Sequence, residues 1–311
     1  MRRSIIIGTR KSALALWQSE YIKSRLLEHF PNLKIELKRI VTRGDQTQDA
    51  QLALPEIGGK GLFTAELEQA LLADEIDLAV HSLKDLPTVL GAEFTLGAIP
   101  QREVVEDVLI SRDGHALNNL PIGSVVGTSS LRRSSQLLRL RPDLKMEHIR
   151  GNVDTRIRKT LAPDGSYDAT ILARAGLVRL GLEAQATEVV SIENILPAPG
   201  QGALGVECRS GDAELLEMLQ VLHHPETAHA VSAERTFLAA LGAGCNTPVA
   251  AYAKVLGSGA EQQVAFRGRC LATDGSRVIE VRGEASVAHA AELGAAMAAR
   301  ALSDGFAELR R

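Results

Sequence analysis

Aromatic side chains are scarce, 3% of the 311 residues, with a single tryptophan. So few rings leave little on which nucleic-acid bases could stack. The formal net charge of −3 also lacks the positive excess of a generic nucleic-acid binder. No nucleic-acid partner is therefore expected. Cysteine is nearly absent too. Cys208, Cys245 and Cys270 are far apart, odd in number and show no CxxC spacing. That argues against a disulfide framework or a cysteine zinc site and fits a reducing cytoplasm; no metal is expected. No stretch approaches the roughly 20 apolar residues of a spanning helix. The start, MRRSIIIGTRK, holds only three consecutive isoleucines between basic residues, which is no signal peptide. The expectation is a cytoplasmic protein without a membrane partner. At 311 residues the chain is too long for one ordinary core, so two or three domains are expected.

Asp77–Pro87, DLAVHSLKDLP, is the stretch around which the chain is organised. Leu78, Ala79 and Val80 read as a strand. His81, Ser82, Lys84 and Asp85 follow at once, and Pro87 forbids a paired continuation. In open α/β sheets, ligands bind beyond the carboxyl ends of the strands. A lysine and an aspartate there suit one charged ligand; a surface Lys-Asp turn is the plain alternative.

The same design recurs along the chain. Ser4–Gly8 reads as a strand, and Arg10 and Ser12 sit at its junction with a helix whose apolar face is Leu14, Trp17 and Tyr21. Free N–H groups at such a junction favour an anion, and Ser12 also suits a plain N-cap. Ile35 and Leu37 mark a second strand. Residues 46–61, ending GGKG, form a long loop, read as a cover over a site or as a linker; the spacing is not that of a P-loop. Segments 94–112 and 195–209 read as crossings between domains. Between them, strands at 124–127, 145–149 and 168–173 each end in a polar turn with arginines: Arg132 and Arg133, Arg150 and Arg156, Arg174 and Arg179. Ser129 or Ser130 is placed to cap the first of the helices that follow. From Arg132 to Lys159 nine basic residues face three acidic ones. Arg139, Arg141 and Arg158 are read as a solvated face. Arginines at strand ends converge, and arginine binds carboxylate or phosphate in bidentate fashion, so a ligand with several acidic groups is implied.

Helices at 212–222 and 227–241 come next, with His223 and His224 in the turn between them. Cys245 stands in GAGCNTP, a glycine-flanked turn where a thiol is accessible, whereas Cys208 and Cys270 lie in strand-like sequence. The remainder alternates over about three antiparallel strands, then an alanine-rich helix from Ala288 to Leu302: a separate α+β domain.

These residues resemble the porphobilinogen deaminase (hydroxymethylbilane synthase) family, nearly end to end: TRKSALALWQ, VTRGD, GGKGLF, AVHSLKDLP, VGTSSLRR, RGNVDTR, PAPGQGALGVECR and GAGC. The resemblance implies an α/β fold, two doubly wound domains resembling type II periplasmic binding proteins plus a C-terminal α+β domain. The expected boundaries are 1–99 with 200–221, 100–199, and 222–311. It implies a transferase of tetrapyrrole, porphyrin and heme biosynthesis, a monomer in the cytoplasm, that condenses porphobilinogen head to tail. Four units are added to a covalent dipyrromethane cofactor, ammonia is released, and hydrolysis yields hydroxymethylbilane. By the match, Cys245 carries the dipyrromethane through a thioether, and Lys84, Ser130, Arg132 and Arg133 hold it. Arg10, Ser12, Arg150, Arg156 and Arg179 bind substrate pyrroles, Asp85 is the catalytic aspartate, and Lys60 belongs to a lid. Departures are few: Ala13 where proline is expected, Arg174 where a small or apolar residue is commoner, and NTP after the cysteine where QVP is frequent.

Two readings of other classes compete. A two-domain anion-binding protein that closes without chemistry is opposed by the extra C-terminal domain and by Cys245. A nucleic-acid module is opposed by charge and aromatic poverty.

Overall fold

The computed structural model describes residues 2–42, 64–244 and 247–309. The chain forms two compact units, one of Met1–Arg102 with Ala203–Ala228, the other of Glu103–Gly202 with His229–Arg311.

The first unit is built on strands β1 (Ser4–Thr9), β2 (Lys34–Arg39), β3 (Leu78–Ser82), β4 (Phe94–Ala98) and β10 (Leu204–Arg209), in the order β2-β1-β3-β10-β4. The first three are parallel, and β10 is antiparallel to both its neighbours. Helices α1 (Ala13–His29) and α6 (Ala213–Leu219) share one core with Ile5, Ile7, Leu78, Val80 and Val206. Helix α2 (Ala65–Leu72) packs Leu67 and Leu71 with Ile76 and Ala79 in another. Alternate residues of β3, Leu78 and Val80 against Ala79, thus serve opposite faces of the sheet, as a strand covered on both sides requires. Each fully buried leucine or isoleucine contributes about 1.5–3 kcal/mol relative to exposure.

The face of α1 differs from the sequence expectation. Its buried residues are Ala15, Gln18, Ser19, Ile22 and Leu26, while Trp17 is 37% exposed and stacks on Tyr21 with ring centroids 5.3 Å apart. The largest rings satisfy each other near the surface. The buried stripe instead includes Gln18, whose Nε2 donates to Ser82 Oγ at 2.8 Å.

The second unit repeats the plan with β5 (Asp107–Ser111), β6 (Val125–Gly127), β7 (Lys145–Glu147), β8 (Ala169–Ala173) and β9 (Glu188–Val190), in the order β7-β6-β8-β5-β9. Again three strands are parallel, and β5 is antiparallel to β8 and β9. Helix α3 (Leu131–Leu140) contributes Leu137 to the core on one face; α4 (Val153–Leu161) and α5 (Arg174–Leu180) contribute Ile157 and Leu177 on the other.

Helix α7 (Pro225–Ala240) leads into an antiparallel sheet of β11 (Val249–Leu256), β12 (Gln263–Leu271) and β13 (Val278–Ser286), covered by α8 (Ala290–Ser303) and α9 (Phe306–Leu309). Phe237 and Phe266 meet at 5.1 Å in its core. Gly268 leaves room for them, since a Cβ there would lie 2.7 Å from Phe237 Cζ. Arg269 joins this layer to the α/β part. Its Nη1 donates to Gln136 Oε1 at 2.7 Å and to the Asn194 carbonyl at 3.0 Å, while its Nε donates to Glu280 at 2.6 Å.

The segments expected to be crossings contain strands as well as the passages between the units. β4 and β5 occupy both ends of 94–112, and β10 occupies the end of 195–209. Each antiparallel strand begins just after the chain passes from one unit to the other, so its partners are remote in sequence. Among the described residues, no helix is long and apolar enough to cross a membrane.

Candidate functional site

In the first unit, β1 and β3 are adjacent and parallel, so both end at one edge of the sheet. The chain leaves β1 for β2 on one side and returns to β3 on the other. This is the topological switch point at which doubly wound sheets bind ligands. Arg10 and Ser12 stand just beyond β1. Ser12 is the N-cap of α1, its Oγ accepting from the Ala15 N–H at 3.3 Å; Arg10 is half-buried.

Beyond β3 lies one turn of 3-10 helix, Leu83–Asp85. Leu83 and Leu86 are buried, at 0% and 4% exposure, and the Leu83 N–H donates to the Ala203 carbonyl at 3.0 Å. The two leucines pin the turn from below. Between them Lys84 is half-buried and Asp85 exposed. His81 is not presented with them. It is buried within β3, its Nε2 2.9 Å from Oε2 of the buried Glu207 on β10.

In the second unit, β6 ends at Gly127 and the chain enters α3 through Thr128, Ser129 and Ser130. Ser130 holds the N-cap position without a side-chain cap bond, and Ser129 Oγ donates to the Ile149 carbonyl at 2.8 Å. Neither hydroxyl caps the helix, contrary to the expectation for this pair. Arg132 and Arg133, in the first turn, are buried at 5% and 6% exposure. Their Nη2 groups donate to Asp107 Oδ2 and Oδ1 at 2.8 and 2.7 Å. Their Nη1 groups donate to the carbonyls of Leu196 and Ile171. Burial pulls the Arg132 guanidinium below its ordinary pKa, and Asp107 opposes the shift. Arg133 Nε is buried without a hydrogen-bond partner among the described residues.

Arg150 and Arg156 are half-buried beyond β7. Arg156 Nε donates to the Gly151 carbonyl at 2.8 Å. Gly151 has a φ of +115°, open to glycine and strained for other residues, so it permits the tight entry into α4. Beyond β8, Arg179 is buried with Nη2 on the Gly202 carbonyl at 2.7 Å. Arg174, the extra positive charge, pairs with Glu183 at 3.3 Å. Arg141 departs from the solvated face expected of it: it pairs bidentately with Asp143 and donates to the carbonyls of Leu117 and Leu120.

The structure thus brings Arg10, Ser12, Lys84 and Asp85 to one sheet edge, and Ser130, Arg132, Arg133, Arg150 and Arg156 to the strand ends of another. Lys60 and Cys245 lie outside the described residues. Cys208 and Cys270 are buried, and burial pushes their thiols up to about 11 and about 12. Asp107 and Gln201 were missed in the sequence. The available signal for Asp107 was a carboxylate at the head of the apolar run Val108–Ile110, where a charge needs a partner. Among the described residues no group of three or more His, Cys, Asp or Glu is arranged to hold a metal ion.

The comparisons with known proteins agree across the chain. Residues 5–217 match the family model described as porphobilinogen deaminase, dipyromethane cofactor binding domain, and residues 228–303 match that of the porphobilinogen deaminase C-terminal domain. A porphobilinogen deaminase of Paenibacillus macerans is 49% identical over 285 residues, covering 90% of this chain and 86% of that protein. Among solved structures, the methionine binding protein MetQ is 15% identical with a TM-score of 0.43, over 71% of this chain and 90% of that one. The regulatory domain of an OxyR2 variant from Vibrio vulnificus, sulfate-bound, is 16% identical with a TM-score of 0.42, over 71% and 95%. With both parts of the chain matched by that family's models and 49% identity to the Paenibacillus protein over 90% of the chain, the chain belongs to the porphobilinogen deaminase family.

Proposed function

We propose that this chain is a porphobilinogen deaminase. It joins four porphobilinogen molecules head to tail on a dipyrromethane held at Cys245, releases one ammonia per unit, and frees hydroxymethylbilane by hydrolysis. It acts as a cytoplasmic monomer and a transferase of porphyrin biosynthesis, with no nucleic-acid or membrane partner. The observation that carries the reading is the charge at the head of α3, where two buried guanidiniums share one carboxylate. A buried charge without a full partner is costly. The Arg133 Nε–H, buried and unpartnered among the described residues, is a donor suited to a carboxylate. Dipyrromethane carries carboxylate side chains, so these residues fit it.

Arg132, Arg133, Ser130 and Lys84 would hold the dipyrromethane, which when bound supplies the pyrrole carbon that is extended. Arg10, Ser12, Arg150, Arg156 and Arg179 are assigned to the acetate and propionate groups of substrate pyrroles. Guanidinium binds such groups in bidentate fashion, which fixes orientation as well as charge. Asp85, exposed on its pinned turn, accepts pyrrole N–H bonds and stabilises the positive charge that develops on the substrate as ammonia departs. It also suits proton transfer. Lys60 is assigned to a lid. A division at 1–99 with 200–221, 100–199 and 222–311 is part of the same proposal.

Intact-mass spectrometry of freshly purified protein tests the reading. The polypeptide plus a dipyrromethane is expected, mapped to the peptide spanning 242–248. Cys245→Ser should lose the adduct, while Cys208→Ser and Cys270→Ser keep it. An unmodified chain that turns over porphobilinogen would sink the proposal.

A further inference from the structure

We propose that Asp107 is a positioning residue for the primer site, acting through Arg132 and Arg133; this rests on the function proposed above. Asp107 is fully buried at the first position of β5. Oδ2 accepts from Arg132 Nη2 at 2.8 Å, and Oδ1 accepts from Arg133 Nη2 at 2.7 Å and from Gln201 Nε2 at 2.9 Å. Each guanidinium is therefore gripped at both ends, one Nη on Asp107 and the other on a backbone carbonyl. Two rigid forks held this way can turn neither about their long axes nor away from the strand ends.

The charges point the same way. With two guanidiniums on one carboxylate, one unit of positive charge is left over inside the protein. A second carboxylate here would cancel the attraction for an anionic ligand, and none at all would leave two like charges in mutual repulsion. Asp107 holds the balance between these extremes. Gln201 is neutral, adds no charge, and fixes Asp107 while its Nε2 also donates to the Val105 carbonyl at 2.7 Å.

A purely structural role would lower stability and leave primer loading of the folded protein unchanged. A positioning role lowers loading in protein that is still folded. We therefore compare wild type, Asp107→Asn and Asp107→Glu by circular dichroism and intact mass, with turnover normalised to adduct-bearing chains. The adduct fraction should fall by about tenfold or more in Asp107→Asn, the scale on which orienting partners of ligand-binding groups are felt. Asp107→Glu, which keeps the charge, should recover part of it. A folded Asp107→Asn with wild-type loading would overturn the proposal. If Asp107→Asn does not fold, Gln201→Met decides, since it loosens Asp107 without touching either arginine. Its loading should drop at least about twofold, and unchanged loading counts against us. If wild type itself carries no adduct and has no turnover, the functional reading fails separately. Citrate then serves as a polycarboxylate probe. A rise in melting temperature that wild type shows and the Asp107 variant (or, failing it, Gln201→Met) loses supports the role of Asp107; equal rises, or none, overturn it.

Discussion

Glu234 offers a test of how the C-terminal layer is tied to the second crossing. The side chain is fully buried on α7. Oε2 accepts from the Gly200 N–H at 2.6 Å and Oε1 from the Ala253 N–H at 2.8 Å. One carboxylate thus satisfies a backbone donor of the crossing and another of β11. Glu234→Ala strands both, and each unsatisfied buried donor costs about 1–3 kcal/mol. Summed, the loss is about 2–6 kcal/mol, reduced by whatever the carboxylate itself paid in desolvation. Glu234→Gln keeps the shape and one acceptor, so it should lose about half as much. Denaturant unfolding followed by far-ultraviolet circular dichroism measures the total. Fluorescence is less suitable, because the one tryptophan, Trp17, lies in the other unit. Hydrogen exchange supplies the local readout: the Gly200 and Ala253 amides should exchange much faster in Glu234→Ala while the β1–β3 ladder is unaffected. A loss below about 1 kcal/mol with both amides still protected would refute this account of two donors on one carboxylate.

Three further outcomes are expected. Asp85→Asn should fold and retain much of its affinity for a pyrrole substrate, yet release ammonia at least about a hundredfold more slowly in single turnover, the cost of losing one preorganised electrostatic group; near-normal release would remove Asp85 from catalysis. Cys208 and Cys270 should resist iodoacetamide at pH 8 in the folded protein, since burial raises both thiols from the ordinary 9.0 to about 11 and about 12 and the thiolate is the nucleophile. Because the folded-state values are the raised ones, their contribution to stability is complete below about pH 9 and is lost as pH climbs toward those values. Denaturation midpoints should therefore fall less steeply above pH 9 in a Cys208→Ala, Cys270→Ala double variant than in wild type. Equal slopes, or ready labelling at pH 8, would contradict the burial argument.

What could be read from the sequence was local. The β3 strand, its polar end and the stop at Pro87 are set within eleven residues, 77–87, and so are the turns carrying Ser130, Arg150 and Arg156. The misreadings are non-local. The segments 94–112 and 195–209 do hold the passages between the units, at 102–103 and 202–203, but the strands β4, β5 and β10 within them go unread because their partners lie in strands remote in sequence. Spacing puts Trp17 with Leu14 and Tyr21 on the apolar face of α1, yet Trp17 is exposed, whereas Gln18 is buried with its amide on Ser82. Arg132 and Arg133 read as bare positive charge because nothing nearby in sequence reveals Asp107. His81 is likewise hidden by a partner 126 residues away. Periodicity identifies a strand or a helix. It does not identify the neighbour.

The placement of β10 also governs the order in which the two sheets can be finished as the chain is made. Every strand of the β7-β6-β8-β5-β9 sheet lies between residues 107 and 190. The other sheet has four of its strands before residue 99, but β10, which separates β3 from β4, is Leu204–Arg209. While the ribosome has delivered only residues 1–202, the first sheet lacks the strand between β3 and β4, beside the strand that leads into Lys84 and Asp85. Domains generally complete themselves as their residues emerge. Here the half that is begun first is the half that must wait.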